Sequence, residues 1–190
     1  KIIEESISAW IHEHKENKYA SGVFRTWLLN GYEIACIEPA MKVWLNKFGD
    51  THNAHYLYRA WLIAKGQSPI IEDHIKLWLK KFETNIEAQY IYSAWLGCRK
   101  TTEVFEQSIY AWLTLHGSTE HADFLIKAWL KANGNPKAVE EPIKAWLEKN
   151  QTNKEAGHVI ASWLNARGSS NVIEQYVKSW LENYQKIYMK

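Results

Sequence analysis

The chain has 190 residues, 46 % hydrophobic and 23 % charged, with 23 Lys+Arg against 21 Asp+Glu and a formal net charge of +2. A disordered chain would carry few aromatics and a larger net charge, and collagen-like or disulfide-rich folds would need far more than 9 Gly or 2 Cys. No stretch approaches about 18 uninterrupted apolar residues and no basic-then-apolar leader opens the sequence, so neither a membrane span nor a signal peptide is predicted.

Eleven tryptophans stand at Trp10, Trp27, Trp44, Trp61, Trp78, Trp95, Trp112, Trp129, Trp146, Trp163 and Trp180, and every gap is 17 residues. Numbering each 17-residue unit from Lys1 puts Trp at unit position 10. Position 11 is Ile11 in the first unit and Leu in the ten that follow. Positions 3 and 7 are apolar throughout. Apolar residues at 3, 7, 10 and 11 follow the i, i+4, i+7, i+8 rule of an amphipathic helix, so each unit predicts one short helix and a turn.

In chain order, the first unit carries Ile3, Ile7, Trp10 and Ile11 and then the polar run from His12 to Asn17. It starts inside a helix, and the chain is expected to be a fragment of a longer protein whose missing part lies N-terminal. The second unit brings Ala20, Phe24 and Gly31. The third brings Ile37, Glu38, Pro39, Met41 and Gly49. The fourth has Ala54, Tyr58 and Gly66. Ser68-Pro69 reads as an N-cap and first-turn proline for the fifth, which holds Ile71 and Ile75. Thr84 with Glu87 has capping-box spacing before Ala88 and Tyr92 of the sixth. Phe105, Ile109 and Gly117 follow, then Ala122, Ile126 and Gly134. Asn135-Pro136 opens the ninth unit, with Val139, Pro142 and Ile143. Thr152 with Glu155 is a second capping box, before Ala156, Ile160 and Gly168. The eleventh unit has Ile173 and Val177 and ends in the tail from Tyr184 to Lys190. Gly31, Gly49, Gly66, Gly117, Gly134 and Gly168 all sit where a left-handed cap is wanted. Pro39 and Pro142 read as shortening or bending the starts of their helices.

Position 3 alternates between large and small side chains, and position 4 is Glu in every odd unit and in no even one (Glu4, Glu38, Glu72, Glu106, Glu140, Glu174). The true period is therefore 34 residues. A lone helix of about 12 residues is marginal in water. These helices are apolar over more than half their circumference, so each needs neighbours on two sides. Position 9 is usually small, as at Ala60, Ala94, Ala111 and Ala128, which lets helices approach closely. The expected fold is all-α: a single helical-repeat domain over 1–190, a right-handed α-solenoid of about eleven short antiparallel helices in five and a half hairpins. The indoles read as packing between helices, each N–H needing one partner.

A gapless 34-residue helix pair resembles the tetratricopeptide-repeat class of α-solenoids. The even units match part of that class's second-helix pattern, Ala and then an aromatic four residues on, in Ala20/Phe24, Ala54/Tyr58 and Ala88/Tyr92. The Trp-Leu pair in both helices departs from it, as does the missing Gly-Tyr signature. Repeats with Trp-Leu at this spacing are also similar to helical arrays in bacterial signalling proteins and STAND-type NTPases. That resemblance implies a ligand-sensing or scaffolding arm.

For chemistry, Glu38–Lys42, Glu72–Lys76, Glu140–Lys144 and Glu174–Lys178 have the favourable i, i+4 order of a solvated ion-paired ridge. The net charge disfavours nucleic acid as a partner. His52 and His55 could share a helical face, but no carboxylate or Cys stands nearby at ligand spacing, so no metal is expected. Cys36 and Cys98 read as buried or half-buried free thiols, and the lack of a cysteine framework points to the cytoplasm. No phosphate loop or nucleophile arrangement is present, so neither catalysis nor a cofactor is expected.

One column resists a packing account. Position 5 of the even units reads Gly22, Tyr56, Tyr90, Phe124, His158, whereas the odd units are mostly polar there. Together with Arg25, Arg59 and Lys127 at position 8, these residues predict an aromatic-and-basic stripe lining a concave groove. The expected function is a non-enzymatic protein–protein interaction scaffold that binds a peptide or protein. The alternative is a ligand-sensing or regulatory arm of a larger bacterial signalling or defence NTPase or nuclease, contacting nucleic acid and joined to an N-terminal effector domain.

Overall fold

The computed structural model describes the backbone of residues 2–188 and the side chains of residues 4–183. Ile3 and the tail from Tyr184 onward, both singled out in the sequence, fall outside the described side chains. The described residues form eleven α-helices: α1 (Ile2–His14), α2 (Ala20–Leu29), α3 (Glu38–Phe48), α4 (His55–Ile63), α5 (Pro69–Phe82), α6 (Ala88–Arg99), α7 (Glu106–His116), α8 (Ala122–Lys131), α9 (Glu140–Asn150), α10 (Ala156–Asn165) and α11 (Ser170–Tyr188). The described residues contain no strand, and none of their helices is long and apolar enough to cross a membrane. The chain forms two compact units, Lys1–Glu83 and Thr84–Lys190. Within the first, α2 packs on α4 and α3 on α5. Within the second, α6 packs on α8 and α8 on α10, while α7 packs on α9 and α9 on α11.

The burial pattern follows the apolar columns. Every described residue at position 3, from Ala20 to Ile173, is buried, as are Phe24, Met41, Tyr58, Ile75 and Tyr92 at position 7. Nine tryptophans, from Trp27 to Trp163, are at most 4 % exposed. Trp10 at the start is 37 % exposed and packs edge-on against His14 at 4.5 Å. The Leu column is buried from Leu28 to Leu147 and then stops: Leu164 and Leu181 are 48 % and 46 % exposed. Position 9 packs less uniformly than expected, since Ala60 is buried but Ala111 is exposed.

The turns leading into the even-numbered helices share one construction. Asn17, Thr51, Asn85, Thr119 and Asn153 each offer a backbone carbonyl to the N–H of the Ala three residues on. The asparagine side chains close the turn as well: Asn85 Oδ1 accepts from the Glu87 N–H and Asn153 Oδ1 from the Glu155 N–H. The capping boxes read at Thr84/Glu87 and Thr152/Glu155 do not form. The asparagine beside each threonine instead closes an Asx-turn just ahead of the helix, because its side-chain oxygen reaches the N–H two residues on. Ser68 precedes Pro69 in extended backbone, but its side chain caps no helical N–H. Asn135 does cap, accepting from the Lys137 N–H at 3.0 Å. Pro39 is the second residue of α3 and Pro142 the third of α9, and each helix is preceded by a separate 3-10 segment.

The glycines at the ends of the even-numbered helices are corrected. Only Gly31 has positive φ, at 74°. Elsewhere the left-handed residue is Lys65, Asn133 or Arg167, and the glycine comes one position later. The N–H groups of Gly66, Gly134 and Gly168 bond back to the carbonyls of Trp61, Trp129 and Trp163 five residues earlier, as in a Schellman closure. A Cβ on any of these three glycines would fall onto that same indole. Their function is close approach to the ring.

Candidate functional site

The indole N–H groups separate the tryptophans into two kinds. On α2, α8 and α10 they donate forward six residues into the following loop: Trp27 to Glu33 O, Trp129 to Asn135 O and Trp163 to Ser169 O, at 2.9–3.1 Å. On odd-numbered helices they donate backward. Trp44 reaches Asn17 O, Trp78 Thr51 O and Trp112 Asn85 O, each 27 residues earlier, and Trp146 reaches Glu120 O, 26 earlier. Buried and hydrogen-bonded indoles of this kind hold the fold together, which removes them as ligand platforms.

The candidate residues divide between the two units. In the first, Tyr56 on α4 is 54 % exposed, and the Arg25 guanidinium on α2 lies 6.0 Å from its ring centroid. Tyr56 also stacks on buried His55, with centroids 3.9 Å apart. Arg59 is exposed one turn further along α4. Leu29 and Ile63, at position 12 of α2 and α4, are exposed beside them. In the second unit Phe124 on α8 is 53 % exposed, and the Lys127 ammonium lies 5.1 Å from its ring. Tyr90 on α6 is half-buried and His158 on α10 is exposed.

Lys127 is tied into the fold. Its ammonium is 2.8 Å from Asp123 on the same helix and 3.0 Å from Glu155. Burial disfavours its charge, but its hydrogen bonds to the two carboxylates outweigh that and hold its pKa above the ordinary lysine value. The same contact holds the Glu155 carboxyl below its ordinary value. On the odd-numbered helices the ion pairs form as read at Glu38–Lys42, Glu140–Lys144 and Glu174–Lys178. Lys76 instead pairs with Asp73 at 3.3 Å, one helical step nearer than Glu72.

A further feature escaped the sequence reading. Position 4 of the even-numbered helices holds three buried polar residues, His55, Gln89 and Asp123. His55 Nδ1 faces the His52 carbonyl at 2.8 Å, and Asp123 holds Lys127. The sequence marked this position as the one where Glu never occurs in even units, and polarity alone did not distinguish a buried site from a solvated one. His52 lies edge-on to both His55 and Phe82, with ring centroids 5.4 Å and 5.8 Å away. Among the described residues no three His, Cys, Asp or Glu converge on a metal position. Cys98 is half-buried as expected, but Cys36 is exposed, with its thiol 3.8 Å from the Glu33 carboxylate, because it closes the short 3-10 segment ahead of α3 and lies outside any apolar column.

No protein-family model, no curated protein and no solved structure matches this chain.

Proposed function

We propose that this chain is a non-enzymatic protein–protein interaction scaffold, a right-handed α-solenoid of tetratricopeptide-like 34-residue hairpins that holds a peptide or protein in a groove lined by its even-numbered helices. Support for the stacking comes from the packing of even on even and odd on odd helices within each unit. The odd-helix indoles reaching back 27 residues support it too, since each ties a helix to the turn of the preceding pair. The single observation that carries the function is the exposure of Tyr56 and Phe124, each with a cation near its ring, on helices whose regular apolar columns are buried. Exposed aromatics beside basic groups are enriched where partners bind. An affinity capture from the native host tests this, with the Tyr56→Ala/Tyr90→Ala/Phe124→Ala chain as control. A partner held by the wild type and lost by the variant is the expected result, and a partner retained by both overturns the reading.

A further inference from the structure

Gly97 lies inside α6, two residues after Trp95, where glycine disfavours the helix by roughly 1 kcal/mol relative to alanine. Nothing in the fold requires it. Its φ is not in the left-handed region, and a Cβ built on it would meet no atom within 4 Å. The same position holds Leu29 in α2, Ile63 in α4 and Lys131 in α8. Its effect is to leave a gap. Between α6 and α8 there is a cleft of about 480 Å³, within the range of natural ligand sites, with Gly97 on one side and the exposed ring of Phe124 on the other. Leu96 and Ala128 supply the rest of its apolar wall.

The polar part of the lining is entirely cationic: Lys100, Lys127 and Lys131. Lys127 is neutralised by Asp123 and Glu155 and held in place near Phe124. Lys100 and Lys131 make no ion pair among the described residues, and they stand on the two sides of the gap, one just past the end of α6 and one at the end of α8. Lys100 is fixed there by a left-handed backbone, φ 55°, with its N–H bonded to Leu96 O at 3.1 Å. A partly apolar cleft between two uncompensated cations is complementary to an apolar residue flanked by carboxylates. The exposed flanks leave the cleft open along the helices, which suits a chain passing through better than an enclosed small molecule.

We propose that the α6–α8 cleft binds an acidic peptide, seating one apolar side chain over Gly97 against Phe124 and pairing neighbouring carboxylates with Lys100 and Lys131. This rests on the scaffold reading above and names its partner chemistry for one site. The test uses the full chain and fluorescence anisotropy of a labelled, capped peptide with one central leucine between runs of glutamate. Saturable binding that weakens with added salt is expected, as is at least a roughly tenfold loss on replacing the leucine by serine. Gly97→Leu, which restores the side chain that α2 carries, should cause a similar loss while the melting midpoint stays equal or rises. Lys100→Glu/Lys131→Glu should abolish binding. No binding of the glutamate peptide, binding indifferent to Gly97→Leu, or equal binding of a lysine-for-glutamate peptide or of oligothymidylate each overturns the proposal. If the peptide fails while the affinity capture still shows a partner lost on the triple alanine change, the acidic chemistry is wrong and the scaffold reading stands. If both fail, the scaffold reading falls as well.

Discussion

The ends of α8 and α6 belong to the same compact unit and start from the same Trp-Leu pair, yet they close differently. After Trp129 the chain turns left-handed at Asn133, Gly134 slides under the indole, and the ring N–H bonds to Asn135 O. After Trp95 the helix continues to Arg99, the left-handed residue is Lys100, and the buried indole N–H has no hydrogen-bond partner among the described residues. Trp95 is covered by Phe105, edge-on at 5.0 Å, and the Arg99 guanidinium lies 5.8 Å from its ring. Both indoles are at most 4 % exposed. Burial of the ring therefore does not depend on how the helix end closes. Of these two ends, the one whose glycine stands five residues beyond the ring bonds the indole N–H to the following loop, and α6 has its glycine at the second.

The largest test of this contrast is truncation. Trp129→Ala should lose about 3–5 kcal/mol in urea unfolding, through cavity and lost hydrogen bond together, and Trp95→Ala should fall at the lower end of that range. Equal losses would mean that the ring N–H contributes nothing. Glycine-to-alanine changes come next and should differ in sign. Gly134→Ala forces a methyl onto Trp129 and should destabilise by about 1–3 kcal/mol. Gly97→Ala meets nothing and should stabilise by about 0.5–1 kcal/mol. A shared sign in thermal melts would break the comparison. A finer test keeps the ring: Trp129→Phe should cost about 1 kcal/mol more than Trp95→Phe, since only the first strands the Asn135 carbonyl.

The smallest effect is in pH. Glu155 is held below its ordinary 4.5, so its contribution is present above that value and is lost as pH falls through the lowered one. Lys127 is held above its ordinary 10.5, so its contribution is present below that value and is lost as pH rises through the raised one. Where α8 has Lys127, α6 has Ser93, so Lys127→Met should flatten the alkaline limb of the urea midpoint against pH and Ser93→Ala should leave it unchanged.

Helix number and core columns are legible from periodicity, because burial at positions 3, 7, 10 and 11 depends only on which face of a helix meets its neighbours. The rest depends on where distant atoms land. Gly66, Gly134 and Gly168 look like left-handed caps in sequence, and only the position of an indole shows that ring clearance selects them. Thr84 with Glu87 has capping-box spacing, and only the turn geometry shows Asn85 taking the Glu87 N–H. Lys127 has Asp123 four residues before it on the same helix, but its second partner, Glu155, stands 28 residues away and only the fold brings it there. Tyr56 and Phe124 stand at an even-unit position that is mostly polar in the odd units, which marks them as candidates for exposure, although Tyr90 at the same position is half-buried.

The backward reach of the odd-helix indoles has a consequence for a chain made from its N-terminus. The carbonyl of Asn17 gains its indole partner only after Trp44 has been synthesised, and that of Thr51 only after Trp78. Trp27, by contrast, finds its acceptor within six residues. On the ribosome each helix pair would therefore emerge with one turn still unlatched, and the next pair would supply the latch.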